Sequence, residues 1–202
     1  MSNLPATPPP PTPPSAAADD WVPVDQYVEL IPHATMFACL YFTDDQGHPL
    51  QLHTAKPQHP QSWQYPGGNV EHGQTPFQTA VRETREETGL RFSGEPKLLA
   101  MHFMLPSAAW PLAKIGVVFD GGVLSADELA RVRLDPREHS HWQVLPLEQW
   151  QPLMGTRYWR RLQASHQART SGTAVYFSEA DHTPAHPHQP DGTAETDARN
   201  CR

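Results

Sequence analysis

Three glutamates, Glu83, Glu86 and Glu87, crowd into the segment PGGNVEHGQTPFQTAVRETREETGL, residues 66–90. Carboxylate oxygens gathered beside a glycine turn suit a hard divalent cation such as Mg²⁺ or Mn²⁺. A cation held there would bridge to phosphate oxygens and draw a diphosphate towards the acids. Gly67 and Gly68 let backbone approach a ligand closely, and Gly73 offers a second turn position before the acids begin. The chain as a whole has a formal net charge of −7. That sign argues against binding a nucleic acid through its phosphates, which needs Lys and Arg. It is compatible with a nucleotide, because a bound cation supplies positive charge locally.

The acids must sit on a helix. Thr75 is placed to cap it, Pro76 suits its first position, and Gln78 completes a capping box. Gly89 is placed to end it. At about 100° per residue, Phe77, Ala80, Val81, Thr84 and Thr88 form one buried stripe, and the glutamates share its adjoining edge. Like charges spaced three and four apart cost a helix a few tenths of a kcal/mol per pair. Arg82 reaches Glu86 but cannot neutralise three acids. A solvated charged face is the competing reading, and the preceding glycine loop weighs against it.

Residues 68–90 resemble the Nudix box, in which a glycine and a glutamate precede the run R-E-U-x-E-E-x-G-U, with U a bulky aliphatic residue. Gly68, Arg82, Glu83, Glu86, Glu87, Gly89 and Leu90 stand at its offsets. Two positions depart. Thr84 replaces the aliphatic residue inside the run, and Gln74 replaces the first glutamate. Gln brings hydrogen bonds but neither charge nor basicity, so weakened or altered metal binding is expected. The resemblance extends over residues 23–178. It implies an α+β, α-β-α sandwich with a mixed sheet flanked by helices. It also implies metal-dependent hydrolysis of a nucleoside diphosphate linked to another group.

By the same resemblance, Glu86 and Glu87 are the expected direct Mg²⁺ ligands. Glu83 serves as ligand or base, Arg82 orients the acids, and the Gly67 carbonyl completes the coordination. Glu83, Arg82 and Glu86 are thus the expected catalytic residues. Glu138 is the expected additional metal-binding acid from a later loop. His139 and His141 stand beside it, and exposed positions are expected for both. Trp63, Tyr65 and Trp110 are able to stack on a base, although packing is the expected role of each. A Nudix-fold module that senses a nucleotide without cleaving it is the alternative, and Gln74 is the residue that sustains it. A homodimer is common in such a family, but nothing in the residues demands one.

The elements that would carry this site follow from pattern. Residues 34–42 form an apolar run of strand length, and residues 43–47 have turn chemistry. Residues 50–54 alternate and complete an expected hairpin. Further strands are expected at 97–105, 115–119 and 174–177, with helices at 145–154 and 157–169. The first helix is inserted among strands, which points to a sheet covered by helices.

Prolines crowd residues 1–20, so residues 1–22 are expected to be a disordered tail. Residues 179–202 return to polar composition and form a second such tail, in which His182, His186 and His188 impose no coordination geometry. Cys39 lies in an apolar run and Cys201 in a polar one, so no disulfide is expected between them. No segment has the length of a membrane span, and the N-terminus lacks the pattern of a secretory signal. The expected location is cytoplasmic, without a nucleic-acid or membrane partner.

Overall fold

In a computed structural model of the protein, which describes residues 21–56, 62–108 and 110–178, the apolar run becomes β1 (Ala34–Thr43). This strand is buried on both faces. Ala38, Leu40 and Phe42 pack in one core cluster with Ala80, Leu90 and Val117, whereas Cys39 and Tyr41 point to another with Trp63, Trp150 and Leu162. The period of two along a strand thus divides its side chains between two hydrophobic layers. A continuous apolar run is what such a strand requires.

Around β1 the other elements are β2 (Leu50–Thr54), β3 (Trp63–Gln64), β4 (Gly67–Asn69), α2 (Pro76–Thr88), β5 (Leu98–Met104) and β6 (Ala113–Val123). Then follow α3 (Ala126–Ala130), β7 (His139–Val144), a 3-10 turn at Leu147–Leu153, α4 (Thr156–Ser171) and β8 (Val175–Ser178). The larger sheet has the order β4-β1-β6-β5-β8. β1 runs antiparallel to β4 and parallel to β6, while β5 is antiparallel to β6 and parallel to β8. A smaller antiparallel sheet has the order β3-β2-β7. Helix α2 packs on β1 and α4 on β5, which gives the expected mixed sheet flanked by helices.

Several expectations are corrected. β1 and β2 do not form a hairpin, because β4 and β6 occupy both edges of β1. Only an isolated bridge, Thr43 to Pro49, joins the two strands before the chain diverges into the second sheet. β6 does not stop at Phe119 but runs on to Val123, past Gly122 at φ 85°. The expected helix at 145–154 is a 3-10 turn that contains Pro152, a residue without an N–H to donate. The segment 139–144 is not loop but strand β7.

The chain divides into residues 1–32 and 33–202. Within the first, α1 (Val24–Leu30) is a short helix in which no residue is buried, and the Pro23 carbonyl accepts from the Gln26 and Tyr27 N–H groups. The two expected tails lie outside the described residues, apart from Trp21 and Val22. So do the C-terminal histidines and Cys201. Cys39 is a buried free thiol, and burial pushes its pKa up to about 12. Among the described residues, no helix is long and apolar enough to cross a membrane.

Candidate active site

Helix α2 begins and ends as its sequence dictates. The Thr75 hydroxyl accepts from the Gln78 N–H at 3.3 Å, and the Gln78 side-chain oxygen accepts from the Thr75 N–H at 2.9 Å. Gly89 closes the helix in the left-handed region at φ 72°. Thr79, Ala80, Thr84, Glu87 and Thr88 are the buried residues, whereas Phe77 and Val81 are half-buried. The buried stripe is therefore rotated from expectation, and it includes a glutamate.

Glu87 is only 4% exposed. Its Oε2 accepts from the Gly67 N–H at 2.8 Å, and its Oε1 lies 2.8 Å from His139 Nε2. An ionised carboxylate can only accept, so the imidazole N–H is the donor. Burial pushes the Glu87 carboxyl above its ordinary range, and the bonds from His139 and Gly67 oppose that shift. Burial likewise raises Glu83, against the opposing charge of Arg82. Desolvation of this kind disfavours the ionised form until a positive charge arrives.

Two backbone arrangements hold these groups together. β4 pairs with β1 in the register Ala38 to Gly68 and Cys39 to Gly67, which brings the glycine turn beside α2. At Gly67 a side chain would collide with the Ala38 carbonyl and with Cys39, and φ is 153°. At Gly68 a Cβ would collide with the Glu83 carboxylate, so the acid occupies space that only glycine leaves open. The chain after α3 is tied to the end of α2 by Arg133 N–H to the Thr88 carbonyl at 2.8 Å and Asp135 N–H to the Glu87 carbonyl at 3.2 Å. The Ala55 N–H donates to the Glu138 carbonyl at 2.7 Å. Glu138 and His139 are thereby fixed next to Glu87.

One ligand atom each from Glu87, Glu138 and His139 lies within 4.8 Å of the others. Gly67, Glu83, Glu87 and Glu138 all line a cavity of about 620 Å³. Glu86 is half-exposed and does not line it. Arg82 joins Glu86 to Glu83, donating through Nη1 to Glu86 Oε2 at 2.8 Å and through Nη2 to Glu83 Oε1 at 2.9 Å. Its Nε donates to Gln74 Oε1 at 3.3 Å, an oxygen that also accepts from the Thr79 hydroxyl at 2.8 Å.

His139 is a correction, since it is 1% exposed where an exposed position was expected. It opens β7 and pairs with Thr54, which turns its ring inward. His141 is exposed and stacks on His53, with ring centroids 4.5 Å apart. Trp63 and Tyr65 are core, whereas Trp110 is 43% exposed and lines the cavity. Sequence reasoning missed the cations on the cavity wall, Lys56, Lys114, Arg157 and Arg161. The spacing of Arg157 and Arg161, one helical turn apart, was the one available signal.

The model of the NUDIX domain family matches residues 32–164. No curated protein sequence matches the chain. Among solved structures, a MutT protein from Methanosarcina mazei Go1 is 23% identical, with 69% of this chain and 96% of that one covered and a TM-score of 0.54. An Ap4A hydrolase from C. elegans, solved as a binary complex, is 22% identical, with coverages of 68% and 98% and a TM-score of 0.52. A UDP-X diphosphatase is 18% identical, with coverages of 77% and 75% and a TM-score of 0.56. At such identities these neighbours establish the fold. With the family match spanning most of the chain, this protein belongs to the NUDIX family, hydrolases that act on phosphorus anhydrides.

Proposed function

We propose that the protein is a cytoplasmic, Mg²⁺-dependent hydrolase that cleaves the pyrophosphate linkage of a nucleoside diphosphate joined to another moiety. The observation that carries this reading is the buried Glu87 carboxylate. It is held by Gly67 and His139 and shares one cavity with Glu83 and Glu138. The donor set fits a hard divalent cation, because carboxylate oxygens predominate and His139 Nε2 is already committed to Glu87. Glu83, Glu87 and Glu138 would hold the ion. The Gly67 carbonyl, expected as a ligand, belongs to the same proposal, whereas Glu86, also expected as a ligand, stands outside the cavity and enters the proposal through its bond to Arg82. When bound, such an ion polarises the pyrophosphate and makes water a stronger nucleophile.

The residues of the chain supply the rest. His139 and the Gly67 N–H fix the orientation of Glu87, as outer partners of metal-binding carboxylates do. Arg82 holds Glu83 by Oε1, which leaves Oε2 to contact the ion or take the proton of the attacking water. The catalytic roles are thus assigned to Glu83, with Arg82 and Glu86 positioning it. Neighbours described as an Ap4A hydrolase and a UDP-X diphosphatase are consistent with an anhydride substrate. The hydrolase domain of this proposal spans residues 23–178.

The test is turnover of nucleoside triphosphates, ADP-ribose, sugar nucleotides and dinucleoside polyphosphates, with Mg²⁺ and with chelator. Turnover that needs Mg²⁺ and falls at least about a hundredfold in Glu83→Gln and Glu87→Gln is expected. Nucleotide binding without turnover would put the non-cleaving module in its place. Full activity in both variants would remove these acids from the mechanism.

A further inference from the structure

The proposed carboxylate site occupies only part of the cavity. Its other walls carry cations from separate elements: Lys114 on β6, Arg157 and Arg161 on α4, and Lys56 just after β2. Two of these charges converge on one ring. Lys114 Nζ lies 5.2 Å from the centroid of Phe37, and the Arg161 guanidinium carbon lies 4.9 Å from it. Lys114 also stands 4.8 Å over the Trp110 ring, and Arg161 stands 5.6 Å over that of Tyr158.

Lys114 and Arg161, gathered on the one ring of Phe37, repel each other. Burial, and secondarily the charge of Arg161, lowers the pKa of Lys114, so the cost is visible at that residue. This concentration of positive charge occurs in a protein whose net charge is −7. Cations lining a low-dielectric cleft focus their field on what enters it. A diphosphate engaged at the carboxylates with a divalent ion would be largely neutralised there. The remaining cations then face whatever extends beyond it.

We infer that the cavity selects substrates whose phosphate chain continues past the diphosphate, as in a nucleoside triphosphate or a dinucleoside polyphosphate, over a diphosphate capped by an uncharged sugar. Lys114, Arg157 and Arg161 are the specificity-determining residues, with Phe37 and Trp110 as apolar walls that keep their charges desolvated. The inference rests on the proposed placement of the diphosphate at the carboxylates. A cavity of about 620 Å³ accommodates one nucleotide. A dinucleoside polyphosphate would leave its second nucleoside outside.

The test is calorimetry on the full chain in Mg²⁺, with α,β-methylene-ATP and the sugar-capped α,β-methylene-ADP-ribose, two analogues whose α,β bridge resists hydrolysis. The triphosphate is expected to bind about tenfold or more tightly, and the gap should shrink as salt rises. In Lys114→Gln/Arg157→Gln the gap should fall below about threefold, while Arg131→Gln, an exposed cation outside the cavity, leaves it unchanged. Lys114→Arg should retain most of it. Equal affinities for the two methylene analogues in the unaltered protein, or a gap unmoved by the double substitution, would overturn the inference. Absence of Mg²⁺-dependent turnover sinks the enzymatic reading but leaves this binding difference standing. Turnover with equal affinities sinks the selectivity alone.

Discussion

Gln74 Oε1 accepts from Arg82 Nε at 3.3 Å and from the Thr79 hydroxyl at 2.8 Å, so a neutral amide anchors the cation that joins Glu83 to Glu86. Both bonds ask only for an acceptor oxygen, which an amide provides as a carboxylate does. The departure from the family pattern therefore removes a charge and keeps a connection. Gln74→Ala should lower turnover about tenfold or more by releasing Arg82, within the range usual for outer partners of a metal site. Gln74→Glu should keep turnover and lower the Mg²⁺ concentration needed for half-maximal rate. Titration of rate against Mg²⁺ in the three proteins decides it. Equal curves would show that Gln74 supports nothing.

The two glycines of the turn should behave differently. Gly67→Ala meets the Ala38 carbonyl and Cys39 within the pairing of β1 and β4, neither of which can yield without disrupting the sheet. It should cost on the order of 3 kcal/mol or prevent folding. Gly68→Ala meets the Glu83 side chain, which can rotate away. Stability should change by about 1 kcal/mol or less, while turnover falls at least about tenfold because Glu83 is displaced. Denaturant unfolding beside steady-state rates separates the cases, and equal stability losses would refute the distinction.

How far the molecule was legible from its residues depended on how local the determining interaction was. Helix α2 was read to within its capping bonds, because the signals at Thr75, Gln78 and Gly89 all act within a few residues. β1 was read from an apolar run, but its partners were not, since pairing with β4 and β6 is a contact across the chain. α3 was overlooked although Ser125 and Glu128 form a capping box like that of α2. The site was legible where the motif was contiguous. It was not legible at His139, whose ring turns inward only because β7 pairs with β2 and a loop is bonded to the end of α2. Nor was it at Lys114, which in sequence is one lysine in an apolar strand.

Thr84 occupies a position where an aliphatic residue suits the box, and the structure gives the consequence a sign. The residue is fully buried, and its hydroxyl has no hydrogen-bond partner among the described residues. A buried hydroxyl left without a partner costs about 1 kcal/mol or more. Val has nearly the same shape, is β-branched like Thr, and lacks that cost. Thr84→Val should raise unfolding stability by about 1 kcal/mol and leave turnover unchanged. A lower denaturation midpoint would mean that the hydroxyl is satisfied after all.

Acid should weaken the fold through His102. This ring is 1% exposed and stacks on Phe177, with centroids 4.3 Å apart. Burial, followed by the charges of Arg161, Arg157 and Arg160, pushes its pKa down from 6.5 to about 3. The folded protein therefore keeps the ring neutral where the unfolded chain would already bind a proton. Since the unfolded state binds more protons in that window, stability is full above pH 6.5 and is lost as pH falls from 6.5 towards 3. The loss reaches roughly 2–3 kcal/mol by about pH 4.5. His102→Phe preserves the stacking and removes the titration, so its stability should be flatter over the same range. Urea midpoints measured between those pH values in both proteins would show it. Parallel pH profiles would place the acid sensitivity elsewhere.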